Sequence, residues 1–355
     1  MFKVTLIALG TFFIAVTVLP LIRSGNAWIR MLDFPRAHIA IGGVCVAVLY
    51  GVFVWDIKNG AESVMLAGLI ACVLYQGYKM SPYTFLASRQ VLSSNRHSSD
   101  ATFSLLVSNV LMENRNATKY LEIVREADPD ILFAAETDRW WTEQLGVLDQ
   151  TYRYTVNYPL ANTYGMILRS RLKLIDPQIK FLIEDDVPSI HTGVELTSGD
   201  RIVLHCLHPR PPQPVQGQDS TERDAELLVV ARAVAESDEP ALVAGDLNDV
   251  AWSHTTKLFQ KISGLLDPRI GRGMYNTFNA KNPLFRWPLD HVFHSSHFRL
   301  VKLERLPFFG SDHFSIYITL SYEPEAKAQQ PEPAADKEER EEAAEKIGKA
   351  KSEAV

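Results

Sequence analysis

Polar side chains that could bind a cation or move a proton recur beside short apolar stretches of this sequence. They are carboxylates, carboxamides and imidazoles: Asn109, Glu136, His208, Asp246, Asn248, Asp290, Asp312 and His313. If the apolar stretches are strands of shared sheets, their ends converge on one rim and bring these groups together. Oxygen ligands of this kind suit a hard divalent cation, and a rim that collects them with imidazoles suits an anionic substrate.

Each of these residues also has a purely structural interpretation. A strand-terminal Asn such as Asn248 is commonly a helix cap or a turn residue. Glu136 could be a surface residue that leads into a helix, and His208, which precedes Pro209, could be a turn residue. The joint pattern, more than any single residue, indicates a catalytic site.

The elements that must position these groups alternate between strands and helices from residue 101 onward. Apolar runs bounded by turn residues predict strands over 103–109, 131–136, 165–168, 190–196, 201–207, 241–246, 289–294 and 314–320. Helical spacing predicts helices over 117–126, 138–148 and 222–235. In this arrangement, nearly every candidate residue lies at a strand end.

Two short motifs resemble a known family. Gly245-Asp246-Leu247-Asn248 resembles the G-D-[FL]-N element of the endonuclease/exonuclease/phosphatase superfamily, and Ser311-Asp312-His313 resembles its terminal S-D-H. The order of the candidate residues between 101 and 321 also agrees. There are two departures: Ala135 stands before Glu136 where the family often has Gln, and Ser108-Asn109 lacks the common preceding aromatic residue.

The resemblance implies an α+β catalytic domain with the deoxyribonuclease-I-like fold. This fold is a four-layer α/β/β/α sandwich of two packed, mostly antiparallel β-sheets with outer helices. The resemblance also implies a bound Mg²⁺ or Mn²⁺, with Glu136 as its main ligand and Asn109 and Asp312 completing or supporting the site. The activity implied is the metal-dependent hydrolysis of phosphoester bonds, as a phosphodiesterase, a phosphatase or a nuclease.

The remaining candidates take catalytic roles under the same resemblance. Asp246 would orient and deprotonate the attacking water, and Asn248 would hydrogen-bond that water or a phosphoryl oxygen. His313, held by Asp290, would place positive charge against the transition state. His208 would donate a second hydrogen bond to a phosphoryl oxygen.

Three apolar segments precede this domain, at 4–21, 38–55 and 63–78. Their length and lack of charge predict three transmembrane helices, so an all-α transmembrane region over 1–78 precedes the sandwich. A polar linker is expected over 79–100 and the catalytic domain over 101–322. Residues 323–355 are rich in Glu, Ala, Lys and Pro, and we expect them to form a disordered charged tail.

The distribution of Lys and Arg predicts the orientation of the three segments. One side carries Arg23, Arg30, Arg36, Lys79, Arg89 and Arg96, whereas the other carries Lys3 and Lys58. The three segments predict a multi-pass protein of the cell membrane. Because positively charged loops stay in the cytoplasm, we expect the side with more Lys and Arg to be cytoplasmic. The N-terminus of the protein would lie outside and its catalytic domain in the cytoplasm, and the sequence resembles a membrane-anchored, bacterial-type member of the superfamily.

The charge balance narrows the substrate only partly. The chain carries a formal net charge of −6, and residues 101–321 contain 28 acidic and 22 basic side chains, which argues against tight nonspecific DNA binding. The substrate stays open between a phospholipid head group, an inositol phosphate and a nucleic acid. Arg269, Arg272 and Arg286 lie in a predicted loop over 265–287 and are candidates for binding it.

Two alternatives to a phosphoesterase remain at this stage. A catalytically inactive, membrane-tethered binding module of the same fold would be expected to lack one of the candidate ligands, and none is missing. A transporter with an accessory domain would be expected to show charge pairs or broken helices in the membrane segments, and the sequence shows neither. No protein partner is indicated by the sequence.

Overall fold

The computed structural model describes residues 1–22, 24–96, 100–213, 215 and 218–353, so Arg23 lies outside the described residues. The chain divides into two compact units. The first comprises Met1–Ser88 and Pro212–Ser220, and the second comprises Arg89–Pro211 and Thr221–Val355.

The described part of the first unit contains four α-helices: α1 (Phe2–Val18), α2 (Ala27–Arg30), α3 (Arg36–Phe53) and α4 (Gly60–Met80). Short 3₁₀ turns at Leu19–Leu21, Met31–Asp33 and Ser81–Tyr83 follow α1, α2 and α4. The segments Phe2–Leu21, Arg36–Phe53 and Gly60–Tyr83 are long and apolar enough to cross a membrane, with mean hydropathies of 2.3, 1.7 and 1.3. They coincide with the three expected segments, and the third is longer than expected.

A buried polar chain links these three helices near one end. Arg36 on α3 bonds Asp33 and donates from Nη1 to Oε1 of Gln76 on α4 at 2.8 Å. Gln76 Nε2 donates in turn to Oγ1 of Thr17 on α1 at 3.1 Å. Polar groups in an apolar environment are stable only when they find partners, so this chain of bonds joins the three helices to one another.

The second unit contains eleven described strands in two sheets. The strands are β1 (Thr102–Asn109), β2 (Ile131–Ala135), β3 (Tyr154–Tyr158), β4 (Met166–Ser170), β5 (Lys173–Phe181), β6 (Pro188–Glu195), β7 (Arg201–Leu207), β8 (Ala241–Asp246), β9 (Asp290–His294), β10 (Phe298–Arg305) and β11 (Ile316–Tyr322). The strand orders are β10-β11-β1-β2-β4-β3 and β5-β6-β7-β8-β9. The β1–β2 and β7–β8 pairs are parallel and the other pairs are antiparallel.

Alternating side chains along the strands build the layers. Leu105 and Val107 of β1 face the core between the sheets, whereas Leu106 faces the opposite side. The helices α5 (Ala117–Ala127) and α6 (Arg139–Leu145) cover the six-stranded sheet, and α7 (Thr221–Ala235) and α8 (His254–Ser263) cover the other. This arrangement confirms the expected α+β sandwich.

The strands that the sequence did not predict are three of the four edge strands of the two sheets. They are β3, β5 and β10, and each is the last strand at one end of its sheet. In β5, most side chains are at least partly exposed, and Asp176-Pro177 interrupts the run. An edge strand needs little apolar character, so its sequence pattern is weak. The helix α8 was also missed.

The C-terminal region differs from the expected disordered tail. Residues 337–353 form helix α9 (Lys337–Glu353), in which Ala343 and Ile347 pack against Leu228 of α7 and Leu258 of α8. Polar contacts add to this packing: Glu342 bonds His254 at 2.7 Å and Glu339 accepts from Lys261 at 2.6 Å. The helix has few apolar residues, and the residues of α7 and α8 that it contacts lie far from it in the sequence.

The expected linker over 79–100 also differs from the structure. Helix α4 extends to Met80, and residues from Arg89 onward belong to the second unit. There, Ser93 forms a parallel bridge with Leu300, and the backbone N–H of Leu92 donates to Gln330 Oε1 at 2.6 Å. The expected linker is therefore divided between the two units at Ser88 and Arg89.

The packing of α9 predicts that Ile347→Ala destabilises the second unit. Ala favours helix more than Ile does, so any loss must come from the contacts with α7 and α8. We expect a decrease of about 2 kcal/mol in the free energy of unfolding. Thermal unfolding measures it, with the exposed Lys351→Ala as the control. Equal melting temperatures for Ile347→Ala and wild type would instead indicate an unpacked tail.

Candidate active site

Four strands bring the candidate residues to one rim. Asn109 ends β1, and Glu136 follows β2, which runs parallel to β1 in the first sheet. Asp246 ends β8, and Asp290 begins β9, which runs antiparallel to β8 so that the two aspartates face each other in register. Carboxylates from both sheets therefore meet at one edge of the sandwich.

The side chain of Asn109 bridges the two sheets at this edge. It is buried, and its Nδ2 donates to Glu136 Oε1 at 2.7 Å and to Asp246 Oδ2 at 3.0 Å. Its Oδ1 accepts from the backbone N–H of Leu111 at 3.0 Å. The amide orientation is thus fixed, and Asn109 holds the two carboxylates at a set separation.

The Gly-Asp-Leu-Asn motif forms a tight turn after β8. Gly245 has φ of +147°, and a Cβ added there would lie 1.8 Å from the Leu207 carbonyl oxygen, so only glycine fits. Asn248 adopts φ of 52°, and its backbone N–H donates to Asp246 Oδ1 at 3.0 Å. The Asn248 side chain donates to the carbonyl of Pro209 at 3.0 Å, which ties this turn to the segment after His208.

The Ser-Asp-His motif docks against β1 and orients an imidazole. Ser311 Oγ donates to the Asn109 carbonyl at 2.8 Å and accepts from the His313 backbone N–H at 3.0 Å. His313 Nδ1 donates to Asp290 Oδ2 at 2.7 Å, which leaves Nε2 3.5 Å from Asp246 Oδ2. The carboxylate of Asp290 thus fixes the tautomer and direction of the ring.

The charges around His313 keep it protonated. Burial alone lowers the pKa of His313, but the carboxylates of Asp290 and Asp246 outweigh it and raise that pKa to about 10. Burial raises the pKa of Asp246, and Asp290 adds to this shift, while the charge of His313 opposes it. The arrangement places a fixed cation beside a carboxylate that can accept a proton.

Glu136 lies in a strained and partly dehydrated position. Its backbone has φ of 58°, a conformation that costs a residue with a Cβ about 1–2 kcal/mol. Burial raises the pKa of Glu136 to about 7, although the hydrogen bond from Asn109 lowers it. Strain of this kind persists where surrounding contacts impose it, typically at functional sites.

His208 lies between Glu136 and Asp246 without bonding either. Its Nε2 is 3.9 Å from Glu136 Oε1 and 3.8 Å from Asp246 Oδ2, beyond hydrogen-bond range. Burial lowers the pKa of His208 below its usual value, so the ring is neutral near pH 7. A neutral imidazole aimed between two carboxylates has one N–H to offer an incoming oxygen.

The donor set fits a hard divalent cation. Among the described residues, Asp312 Oδ1 is buried without a hydrogen-bond partner, and the charge of Asp312 raises the pKa of Glu136. A cation would satisfy Asp312 Oδ1 and would offset the repulsion between the carboxylates of Asp312 and Glu136. Asn109 supports this site through its contact with Glu136, because its own Oδ1 already accepts from Leu111.

A second group of potential ligands lies deeper. Asp246, Asp290 and His313 each bring one ligand atom to within 4.8 Å of the others. Nδ1 of His313 is already bonded to Asp290, so Nε2 of His313 and carboxylate oxygens of Asp246 and Asp290 are the atoms that could bind a cation here.

A buried chain of charges supports the Asn248 turn from behind. Arg223 Nη1 donates to the Asn248 carbonyl at 2.7 Å, and its Nη2 donates to Asp224 Oδ1 at 2.7 Å. Lys346 of α9 donates to Asp224 Oδ2 at 2.8 Å. The sequence analysis missed these residues, since charged residues at the start of a helix ordinarily face solvent and their partners are distant along the chain.

Two of the three predicted substrate-binding arginines are structural. Arg269 is 4% exposed, pairs with Asp267 and donates to His291 Nδ1 at 2.7 Å. His291 Nε2 donates to the Asp249 carbonyl at 2.8 Å, so Arg269 supports the same turn. Arg272 donates to backbone carbonyls of Pro268 and Val91, at 3.1 and 2.6 Å. The assignment of these two arginines to substrate binding is wrong.

Arg286 lies closer to the rim. Its Nε and Nη2 donate to the carbonyls of Asn279 and Ala280, both at 3.2 Å, and its guanidinium lies 5.0 Å from the centre of the Phe314 ring. The Ala280 N–H donates to the Asp312 carbonyl at 2.6 Å. Arg286 therefore orders the loop beside the S-D-H motif.

The fold has counterparts among solved structures. A humanized D. rerio TDP2 shares 17% identity with a TM-score of 0.52, over 62% of this chain and 99% of that chain. An endonuclease/exonuclease/phosphatase from Bacteroides vulgatus shares 14% identity with a TM-score of 0.52, over 62% of this chain and 99% of that chain. An endonuclease/exonuclease/phosphatase from Beutenbergia cavernae shares 15% identity with a TM-score of 0.50, over 63% of this chain and 72% of that chain. No curated protein matches the chain significantly.

The family comparison covers the site itself. The model of the endonuclease/exonuclease/phosphatase family matches residues 106–313, which is more than half of the chain and runs from β1 to His313. Both motifs and every polar residue of the rim lie within the matched range. The chain therefore belongs to the endonuclease/exonuclease/phosphatase family.

Proposed function

We propose that this chain is a membrane-tethered, divalent-metal-dependent phosphoesterase. The observation that carries the proposal is the joining of Glu136 and Asp246 through Asn109, with the Asp290–His313 pair 3.5 Å from Asp246. This arrangement combines an oxygen-rich cation site, a proton acceptor and a fixed positive charge. Hydrolysis of a phosphoester needs all three.

Each polar residue of the rim has a separate role in the proposed reaction. Asp246 orients a water molecule and accepts its proton as the water attacks phosphorus, and its raised pKa suits this role. The protonated His313 lies against the charge that builds on the phosphoryl oxygens. His208 donates a hydrogen bond from its neutral ring to one of these oxygens, and the turn at Asn248 fixes the direction of Asp246.

Glu136 and Asp312 would hold the cation, with Asn109 positioning Glu136. When bound, Mg²⁺ or Mn²⁺ would neutralise phosphoryl charge and polarise the ester. The completeness of the set disfavours the inactive binding module, since each role has a residue in reach of the rim. The substrate class stays between a phospholipid head group, an inositol phosphate and a nucleic acid.

We also propose that α1, α3 and α4 span the cell membrane and that the catalytic domain lies in the cytoplasm. The support for this orientation is the bias of Lys and Arg along the chain. Arg36 weighs less in that bias than the sequence suggests, because it is buried and paired with Asp33.

The proposal predicts that hydrolysis requires an added divalent cation. A panel of lipid, inositol phosphate and nucleic acid phosphoesters, assayed with Mg²⁺, Mn²⁺ or EDTA, measures this requirement and ranks the substrates. We expect turnover with either metal ion and loss of it in EDTA, because the cation would neutralise phosphoryl charge and polarise the ester. Full turnover in EDTA would refute the cation site.

Asp246→Asn should lower kcat at least ~100-fold, because an amide cannot accept the proton of the attacking water. The exposed Asp238→Asn removes the same charge far from the rim and should leave kcat unchanged, so steady-state kinetics of the two variants separates proton transfer from net charge. Wild-type turnover by Asp246→Asn would exclude Asp246 as the base.

His313→Gln should lower kcat about 10²–10³-fold while the protein stays folded. Glutamine can still donate to Asp290 but carries no charge, so the loss reports charge stabilisation. His313→Ala should also lower the melting temperature, since it leaves the Asp290 carboxylate buried and unpaired. If His313→Gln turns over like wild type while only His313→Ala is unstable, His313 is a packing residue.

A further inference from the structure

An apolar and cationic surface borders the proposed active site. Only six large apolar side chains of the described part of the second unit are exposed, and three of them lie in two loops next to the S-D-H motif. Leu284 is 74% exposed, Phe285 is 47% exposed and Phe308 is 38% exposed. We call these two segments, residues 279–287 and 305–310, the rim loops; the second begins at Arg305, the last residue of β10.

The rim loops are joined to each other and to the catalytic residues. Arg286 of the first loop and Arg305 of the second both lie over the Phe314 ring, at 5.0 and 4.4 Å from its centre. Phe308 lies 6.3 Å from the same ring. Phe278, which precedes the first loop, contacts the His313 ring at 5.0 Å. The rim loops therefore border the residues of the proposed active site.

The charge of the rim loops has one sign. They contain Lys281, Arg286 and Arg305 and no acidic residue, although residues 101–321 as a whole are acidic. Lys119 of α5 adds a fourth cation 5.7 Å from the Phe308 ring. Aliphatic and aromatic side chains flanked by Lys and Arg are the pattern of a segment that lies in the head-group region of an anionic bilayer.

The first unit holds the three proposed membrane-spanning helices and continues directly into the second unit at Arg89, so the second unit would be tethered to the membrane. We propose, resting on the membrane tether of the proposed function, that the rim loops dock onto an anionic bilayer surface. Leu284 and Phe285 enter the head-group boundary, and Lys281, Arg286 and Arg305 face lipid phosphates.

This docking gives a physical reason for a membrane-borne phosphoester as the substrate. A lipid phosphate held at the bilayer surface would approach Asp246 and His313 without leaving the head-group layer. A single-stranded nucleic acid could also use cations and aromatic rings. The most exposed side chain is the aliphatic Leu284, which offers no ring for a base to stack on, and so the bilayer is favoured.

The test uses the full chain in two lipid nanodiscs, one of phosphatidylcholine and one in which a third of the lipid is phosphatidylglycerol. Hydrogen–deuterium exchange of peptides covering the rim loops is compared between them. We expect slower exchange in the anionic nanodisc and a return toward the neutral value at high salt. Equal exchange in both nanodiscs, or slowing by a single-stranded oligonucleotide alone, would overturn the docking.

A double variant, Leu284→Ser with Phe285→Ser, links the docking to substrate. Both side chains are exposed, so folding should be unaffected, and Val147→Ser provides an equally exposed apolar control. We expect a rise of about tenfold in KM for a lipid-borne phosphoester, the change expected when apolar burial is lost. KM for a water-soluble phosphoester should not change. An equal effect on both substrates would overturn the docking.

The two experiments separate this inference from the proposed function. Slower exchange of the rim loops without hydrolysis of any phosphoester would leave the docking in place and remove the catalytic proposal. Metal-dependent hydrolysis with unchanged exchange would do the reverse.

Discussion

The two hydrogen bonds donated by Asn109 hold the catalytic rim together. Each sheet of the sandwich supplies one carboxylate, Glu136 from the first and Asp246 from the second, and the packing of the sheets brings two like charges into a buried edge. Burial and mutual repulsion both disfavour that approach. The carboxamide offsets part of the cost with one N–H for each oxygen, and its position is fixed because its carbonyl accepts from Leu111 and its backbone from Ser311.

The negative charge of the carboxylates that Asn109 does not offset allows the rim to hold a protonated imidazole and a cation. One protonated imidazole, His313, serves Asp246 and Asp290, and among the described residues Oδ1 of Asp312 is left without a hydrogen-bond partner. The left-handed turn at Asn248 is maintained by contacts that lie outside the rim. Arg223 and Arg269 provide these contacts, and helix α9 supports Arg223 through Lys346 and Asp224. Helix α9 lies beyond the range that the family model matches.

Local patterns in the sequence predicted the interior of this molecule and missed its periphery. The buried strands β7 and β8 were predicted to the residue, because continuous apolar runs ended by turn residues leave little choice. The edge strands β3, β5 and β10 were missed because half of each is solvated. The candidate residues at strand ends were located correctly by type and order. The roles of Arg269 and Arg272 were not, since a guanidinium in a loop looks the same whether it faces a substrate or Asp267. Helix α9 depends on Leu228 and Leu258, which no local pattern connects to it.

The central claim is that Glu136 belongs to a site for a divalent cation at this rim. Titration of the full chain with Mn²⁺, followed by electron paramagnetic resonance of the free ion, tests it without reference to any substrate. We expect a single tight site in the wild-type protein, its loss in Glu136→Gln, and its retention in Glu143→Gln, which removes an exposed carboxylate of α6. Equal Mn²⁺ binding by wild type and Glu136→Gln would show that Glu136 is not a ligand of the cation.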